Sequence, residues 1–225
     1  MDNKEFLDWN EEMFVKYNNE RLYLHPNPIV RWIENKRLKT IQNFIKINKD
    51  QKFLSIGCGE AYIESRINEG SLYLMDISNE AIKRAKEKLA DKKNIIEIKT
   101  GDGLNIDYPD NFFDYILCSE VIEHVLDYDK LISEITRVAK NDAKIIITIP
   151  NEKKIDFIKN ILIKTKLFSL FFKNIPVTQE WHLHAFDLTL LKKAINNKLT
   201  LLQAKAIPLF FLPLRYVCLL TKKNK

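Results

Sequence analysis

The sequence predicts an α/β protein: a largely parallel sheet with helices on both faces. Between residues 50 and 150, short apolar runs alternate with segments of helical period in the order β-α-β-α-β-β-α-β. That alternation builds parallel sheets. All five glycines (Gly57, Gly59, Gly70, Gly101 and Gly103) lie between positions 57 and 103, four of them just after apolar runs. Glycine used so sparingly marks places where backbone turns sharply or approaches a ligand. The 225 residues, 46% apolar and 29% charged, suffice for one large domain whose core needs no disulfide staples, and they exclude a disordered chain.

Residues 1–48 read as two helices joined near His25-Pro26-Asn27-Pro28, a helical cap. Lys52–Gly57 is the first strand, Ala61–Glu69 a short helix and Ser71–Asp76 the second strand. Ser78 or Asn79 caps a helix reaching about Asp91, with Ala81, Ile82, Ala85 and Leu89 at helical spacing. Asn94–Lys99 and Asp114–Ser119 are strands three and four. A helix to about Lys140 follows, with Leu131, Ile132, Ile135, Val138 and Ala139 on one face. Strand five, Lys144–Ile149, is stopped by Pro150. Residues 151–180 form a Lys-rich apolar insert, and 187–221 a helix and two strands around Pro208 and Pro213. The apolar stretch Leu199–Leu220 is interrupted by Lys205, Pro208, Pro213 and Arg215, which suits an antiparallel pair and not a membrane span. The expected organisation is a single domain, 1–225: cap (1–48), core (50–150), insert (151–180) and C-terminal helix with strand pair (181–225).

The net charge of +6 is uneven: residues 1–150 carry −4 and residues 151–225 carry +10. A basic C-terminal third reads equally as a solvated lysine surface or as a face for an acidic or membrane-bound partner. Cys58, Cys118 and Cys218 are widely spaced, with no CxxC or Cys/His pattern, which argues against a disulfide scaffold and structural zinc. The acidic start MDNKEFLDWNEE lacks the apolar core of a signal peptide, so a reducing cytoplasm is the expected compartment.

The first strand runs into Ser55-Ile56-Gly57-Cys58-Gly59-Glu60-Ala61. A Gly-x-Gly turn between strand and helix lets backbone approach a nucleotide-like ligand. Tyr62 stands where a dinucleotide fingerprint wants a small residue, which counts against NAD. Asp76 ends the second strand, where a carboxylate can accept both hydrogens of a ribose diol. Asp102, in Gly101-Asp102-Gly103, places a second carboxylate over the same crevice, suited to an exocyclic amine such as that of adenine.

FLSIGCGEA, LYLMDIS, KTGDGLNI, YPDNFFDY, CSEVIEHV and IIITIPN resemble, in order and spacing, the motifs of class I S-adenosylmethionine (SAM)-dependent methyltransferases. The resemblance is closest to the type-11 group, which includes ubiquinone-biosynthesis O-methyltransferases. It covers about residues 50–150, with weaker similarity at 180–221. It implies a Rossmann-like seven-stranded sheet whose last strand is antiparallel, SAM as cofactor, and Ser55, Gly57, Cys58, Gly59, Asp76, Ile77, Asp102, Gly103 and Ser119 as cofactor-binding residues. Two positions depart from the pattern. The family usually has an acid at the position of Ser55, which holds the methionine ammonium, and often a third glycine where Ala61 stands. With serine the charge-assisted bond is lost, so the expectation is weaker SAM binding or ammonium recognition by other groups.

Methyl transfer from a sulfonium is an in-line displacement, and the protein must hold donor and acceptor in near-attack geometry and remove a proton where the acceptor has one. Catalytic candidates are Glu120 and His124, directly after the fourth strand, and His184 in Trp181-His182-Leu183-His184. Glu120, Glu123 and His124 stand at i, i+3 and i+4, one face of a helix turn. With His184 (or His182) they resemble the Mg²⁺ site of small-RNA 2′-O-methyltransferases; such a metal would lower the pKa of a coordinated hydroxyl. A divalent metal is not the favoured reading, and His124 as a base is. The aromatics Trp9, Phe14, Tyr17, Tyr23 and Trp32 are expected to pack over the cofactor cleft, because a near-neutral helical segment is no base-stacking platform. The insert Ile155–Pro176 reads as a lid, or as a basic amphipathic helix in peripheral contact with a membrane. The expected activity is O-methylation of a small or lipid-linked acceptor. Nucleic acid is not the expected partner; an RNA 2′-O-methyltransferase, favoured only by the basic C-terminal third and the Glu-x-x-Glu-His motif, and a non-catalytic SAM-fold module are the alternatives. Nothing in the sequence selects an oligomeric state.

Overall fold

The fold is described from a computed structural model, over residues 3–16, 23–165 and 182–223. Its elements, in chain order, are α1 (Asn3–Lys16), α2 (Pro28–Phe44), β1 (Lys52–Ile56), β2 (Ser71–Asp76), α3 (Asn79–Lys88), β3 (Ile95–Thr100), β4 (Phe113–Ser119), α4 (Tyr128–Val138), β5 (Ala139–Pro150), α5 (Glu152–Lys164), α6 (Leu188–Ile195), β6 (Leu199–Leu209) and β7 (Leu212–Lys222). Helix starts follow side-chain chemistry. Asn27 caps α2 with Pro28 in its first turn, and Ser78, Asp127 and Asp187 accept from the first-turn amides of α3, α4 and α6. The 61–69 helix expected from the sequence is a single three-residue 3₁₀ turn at Glu64–Arg66. Ala61, held at φ +56°, breaks the helical path just before it.

The seven strands form one sheet in the order β3-β2-β1-β4-β5-β7-β6. β1 pairs in parallel with β2 and β4, and β2–β3 and β4–β5 are also parallel. β7 runs antiparallel to both β5 and β6, so one strand of seven is reversed, as the resemblance implied. The chain winds outward from β1 to β3 and then crosses back to β4 on the other side of β1. Ligands bind outside the carboxyl ends of strands at such a switch point.

Side-chain alternation divides the core between the two faces. Phe53, Leu72, Leu74, Tyr115, Leu117 and Ile146 pack with Leu38 and Ile41 of α2 and Ile82 and Ala85 of α3. Leu54, Ile56, Ile116, Ile145 and Ile147 pack with Leu131, Ile132 and Ile135 of α4 and Leu191 and Ile195 of α6. Half of the expected N-terminal cap, α2, is therefore one of the two helices covering a sheet face. α1 lies on α3, where the Glu11 carboxylate accepts from the free amides of Asn79 and Glu80, both at 2.9 Å. That placement also suits the positive end of the α3 dipole. Among the described residues no helix is long and apolar enough to cross a membrane.

Candidate active site

The ends of β1, β2 and β3 form one half of the crevice. Gly57 (φ +65°) and Gly59 (φ +53°) make the turn after β1. A Cβ on Gly57 would stand 2.3 Å from Val121 Cγ2, so the turn packs directly on the loop after β4. The Cys58 amide donates to Met75 O at 3.1 Å, and the Gly59 amide to Asp76 Oδ2 at 2.8 Å. Asp76 Oδ1 accepts from the Ser78 amide at 2.9 Å. Asp76 is thus buried and braced from two sides. Burial pushes its carboxyl up, with the Ser78 and Gly59 amides opposing. Ile77, half-buried, follows it. Gly101 N donates to Asp76 O at 2.9 Å and so ties the third turn to the second strand. Asp102 is exposed, with Oδ1 accepting from the Leu104 amide at 2.8 Å, and Gly103 lies against Leu131 and Ile56. Seven expected cofactor residues (Gly57, Cys58, Gly59, Asp76, Ile77, Asp102 and Gly103) therefore share these three adjoining strand ends.

Two expected cofactor residues point to other partners. Ser55 Oγ donates to Glu64 Oε1 at 2.5 Å. Ser119 Oγ accepts from Arg37 Nη1 at 2.8 Å and shares a 3.1 Å hydrogen bond with Thr148 Oγ1. Ser119 thereby belongs to a buried charge network over the ends of β4, β5 and β7. Glu34 bonds Arg37 Nε at 2.9 Å and Arg215 Nε at 3.2 Å, Arg37 Nη2 donates to the Tyr23 hydroxyl at 2.8 Å, and Arg215 pairs with Glu120. Burial alone would raise the Glu34 carboxyl, but Arg215 and Arg37 hold it below the usual carboxylate range. Tyr23 stacks on Tyr62, rings 4.1 Å apart, and closes this side of the glycine turn. Of the other aromatics expected over the cleft, Trp9 is half-buried beside Phe6 of its own helix, Phe14 is buried, Trp32 faces outward and Tyr17 lies outside the described residues.

The helix turn expected to align Glu120, Glu123 and His124 is absent. Glu120 takes φ +56°, and residues 120–126 are irregular turn before α4 begins. Glu120 swings to Arg215 and accepts from Thr148 Oγ1 at 2.8 Å. His184 is also displaced from the expected set: its Nε2 lies 2.9 Å from Val125 O and its ring sits edge-on to Tyr128. The grouping of Glu120, Glu123, His124 and His184 is corrected accordingly. The residues that do converge are Glu123, His124 and His182, with one ligand-type atom of each within 4.8 Å of the others. The His124 and His182 rings are 4.9 Å apart, and Glu152 Oε1 lies 2.5 Å from His182 Nδ1. The Glu123 carbonyl accepts from the amides of Leu183 (2.8 Å) and His184 (3.1 Å), which pins this segment across the β4 loop. Glu123 is fully buried, and neither of its carboxylate oxygens has a hydrogen-bond partner. Burial pushes it up to about 8, with the Glu152 charge adding and Arg37 opposing.

A glycine turn with two carboxylates on three neighbouring parallel strand ends, beside a reversed seventh strand, defines the class of a SAM-dependent methyltransferase fold. The chain belongs to the class I SAM-dependent methyltransferases, in the type-11 group; residues 54–147 match the family described as "Methyltransferase domain". Among its relatives is an uncharacterized protein of Methanocaldococcus jannaschii, 30% identical over 75% of this chain and 66% of that one. Another is a demethylmenaquinone methyltransferase of Staphylococcus epidermidis, 26% identical over 71% of this chain and 66% of that one. The chain thus spans about two thirds of the length of these curated relatives. In fold it is similar to the N-methyltransferase NodS of Bradyrhizobium japonicum in complex with S-adenosyl-L-homocysteine. That likeness has a TM-score of 0.70 at 13% identity and covers 96% of this chain and 98% of that one.

Proposed function

We propose that this domain transfers the methyl group of SAM to an oxygen of a small or lipid-linked acceptor held over the ends of β4, β5 and β7, with His124 as the general base. The observation that carries this reading is the adjacency of the two half-sites. The turn at Gly57 packs on Val121, two residues from Glu123 and three from His124. A ligand laid across β1 therefore ends beside the imidazoles. Bound SAM supplies an already activated methyl group; the chain's own residues orient the acceptor and take its proton. Glu152 holds the His182 ring through Nδ1 beside His124, as a carboxylate fixes the orientation of an imidazole.

The apolar rim supports a lipid-linked acceptor. Pro150 pairs with Arg215, so the β6–β7 hairpin tip projects on the site side of the sheet. That tip carries Phe210 and Phe211, 85% and 67% exposed. Phe157, Ile161 and Ile163 are exposed on α5, the described part of the insert; residues 166–176 lie outside the described residues. A relative named for demethylmenaquinone fits the same class of acceptor.

A second reading has its own support. The unpartnered buried oxygens of Glu123, beside His124 and His182, suit a divalent ion with mixed carboxylate and imidazole ligands. One experiment separates the readings: methyl-labelled SAM offered with a small-molecule and lipid extract or with total RNA, with and without EDTA. The proposal expects label in the small-molecule or lipid fraction, unaffected by EDTA and lowered about 10²–10⁴-fold in His124→Ala. Turnover abolished by EDTA and restored by Mg²⁺ or Mn²⁺ selects the metal reading. Label in RNA alone, or none anywhere, overturns the proposal.

A further inference from the structure

Ser55 faces the same side of the sheet as Phe53 and is almost fully buried. The acid that the resemblance expects at this position is missing, yet a carboxylate is present. Glu64, nine residues on, is 2% exposed and accepts a hydrogen bond from the Ser55 hydroxyl on Oε1. Its other oxygen, Oε2, is buried and has no hydrogen-bond partner. Among the described residues no lysine or arginine forms an ion pair with Glu64. The titratable groups near enough to feel its charge are Asp76 at the end of β2, Cys58 in the glycine turn and Tyr23 from the segment before α2. None of these carries a positive charge to offset it. A buried carboxylate without a cation is costly. Burial accordingly pushes Glu64 up to about 7, with the Ser55 hydroxyl opposing.

The cation that fits can be worked out from the strand order. A SAM molecule with its ribose at Asp76 and its methyl directed over β4 must lay its amino-acid end across β1, the strand between them. Its sulfonium has no N–H to give, whereas its ammonium has three. We infer that Glu64 is the counter-ion of the SAM ammonium, with Ser55 as the positioning residue that orients its carboxylate. The inference rests on the assignment of SAM as cofactor. The acid has moved from the strand to the 3₁₀ turn, and the strand position now supplies the hydroxyl that holds it.

The test is calorimetric titration with SAM and with 5′-methylthioadenosine, which keeps the nucleoside and lacks the amino-acid end. Glu64→Gln is expected to weaken SAM about 10- to 100-fold while leaving methylthioadenosine within about 2-fold, the size of a charge-assisted hydrogen bond. Wild-type affinity for SAM should fall as pH drops below about 7, because binding then requires Glu64 to lose its proton. Glu64→Gln should flatten that dependence. Ser55→Ala removes a bond that favours the ionised form, so the fall should move to higher pH, which a purely structural serine would not produce. The exchange Ser55→Asp with Glu64→Ser should recover SAM affinity relative to Glu64→Ser alone. Equal loss of both ligands in Glu64→Gln, or no loss of SAM, overturns the inference. A wild-type protein that binds neither ligand instead removes the cofactor assignment beneath it.

Discussion

At the ends of β1, β2 and β3, the groups facing the crevice are backbone amides and carboxylates fixed by amides of the same three adjoining turns. Gly59 and Ser78 brace Asp76, and Leu104 braces Asp102. At the ends of β4, β5 and β7, the polar groups come from segments far apart. Tyr23, Glu34 and Arg37 arrive from the N-terminal quarter, Glu120 and Thr148 from the middle, and Arg215 from the last strand. The first half is a preformed cradle for a ligand of fixed shape. The second is an ion-pair network that exists only once distant segments of the chain have come together, and Tyr23 joins it to the glycine turn by stacking on Tyr62.

The largest expected effect breaks the second half alone. Glu34→Gln leaves the buried Arg37 and the half-buried Arg215 beside an uncharged side chain. It should cost about 3–5 kcal/mol of stability, read from chemical denaturation. If the cost stays below about 1 kcal/mol, the network is no more than an exposed set of charges. The smaller effect belongs to the first half. Ala61 is fully buried at φ +56°, where a side chain costs about 1–2 kcal/mol, partly offset by the flexibility glycine adds to the unfolded chain. Ala61→Gly should therefore raise stability by roughly 0.5–1 kcal/mol in the same assay. A destabilised variant would mean that the methyl group contributes more packing than its backbone strain removes.

What the sequence made legible follows the same division. The strands of the core, α3, α4 and the closing hairpin have strong periods and local caps, and the glycine turn with Asp76 and Asp102 is a contiguous signal. The short helix after Ala61 was not legible, because a left-handed residue interrupts a segment of helical composition. Glu120 was misplaced for a related reason: i, i+3, i+4 spacing has meaning only on a helix, and Glu120 starts an irregular turn. Of the two histidines the sequence offered, spacing could not choose, and the fold brings His182 to His124. Glu34 and Arg37 carried no signal beyond their place on an ordinary amphipathic helix, since their partner Arg215 lies in the last strand. Glu64 was hidden in another way. The serine at position 55 announced a missing acid, but only the fold brings the replacement carboxylate against it.

The central claim is that cofactor binding resides in the first half and acceptor chemistry in the second. Calorimetric titration of SAM into the wild type, Asp76→Ala and His124→Ala tests it most directly. The account predicts one SAM per chain in the wild type. It predicts a loss of about 1–3 kcal/mol in Asp76→Ala, where the ribose hydroxyls of SAM lose their acceptor, and unchanged binding in His124→Ala. Wild-type affinity in Asp76→Ala, or an equal loss in His124→Ala, would contradict the account.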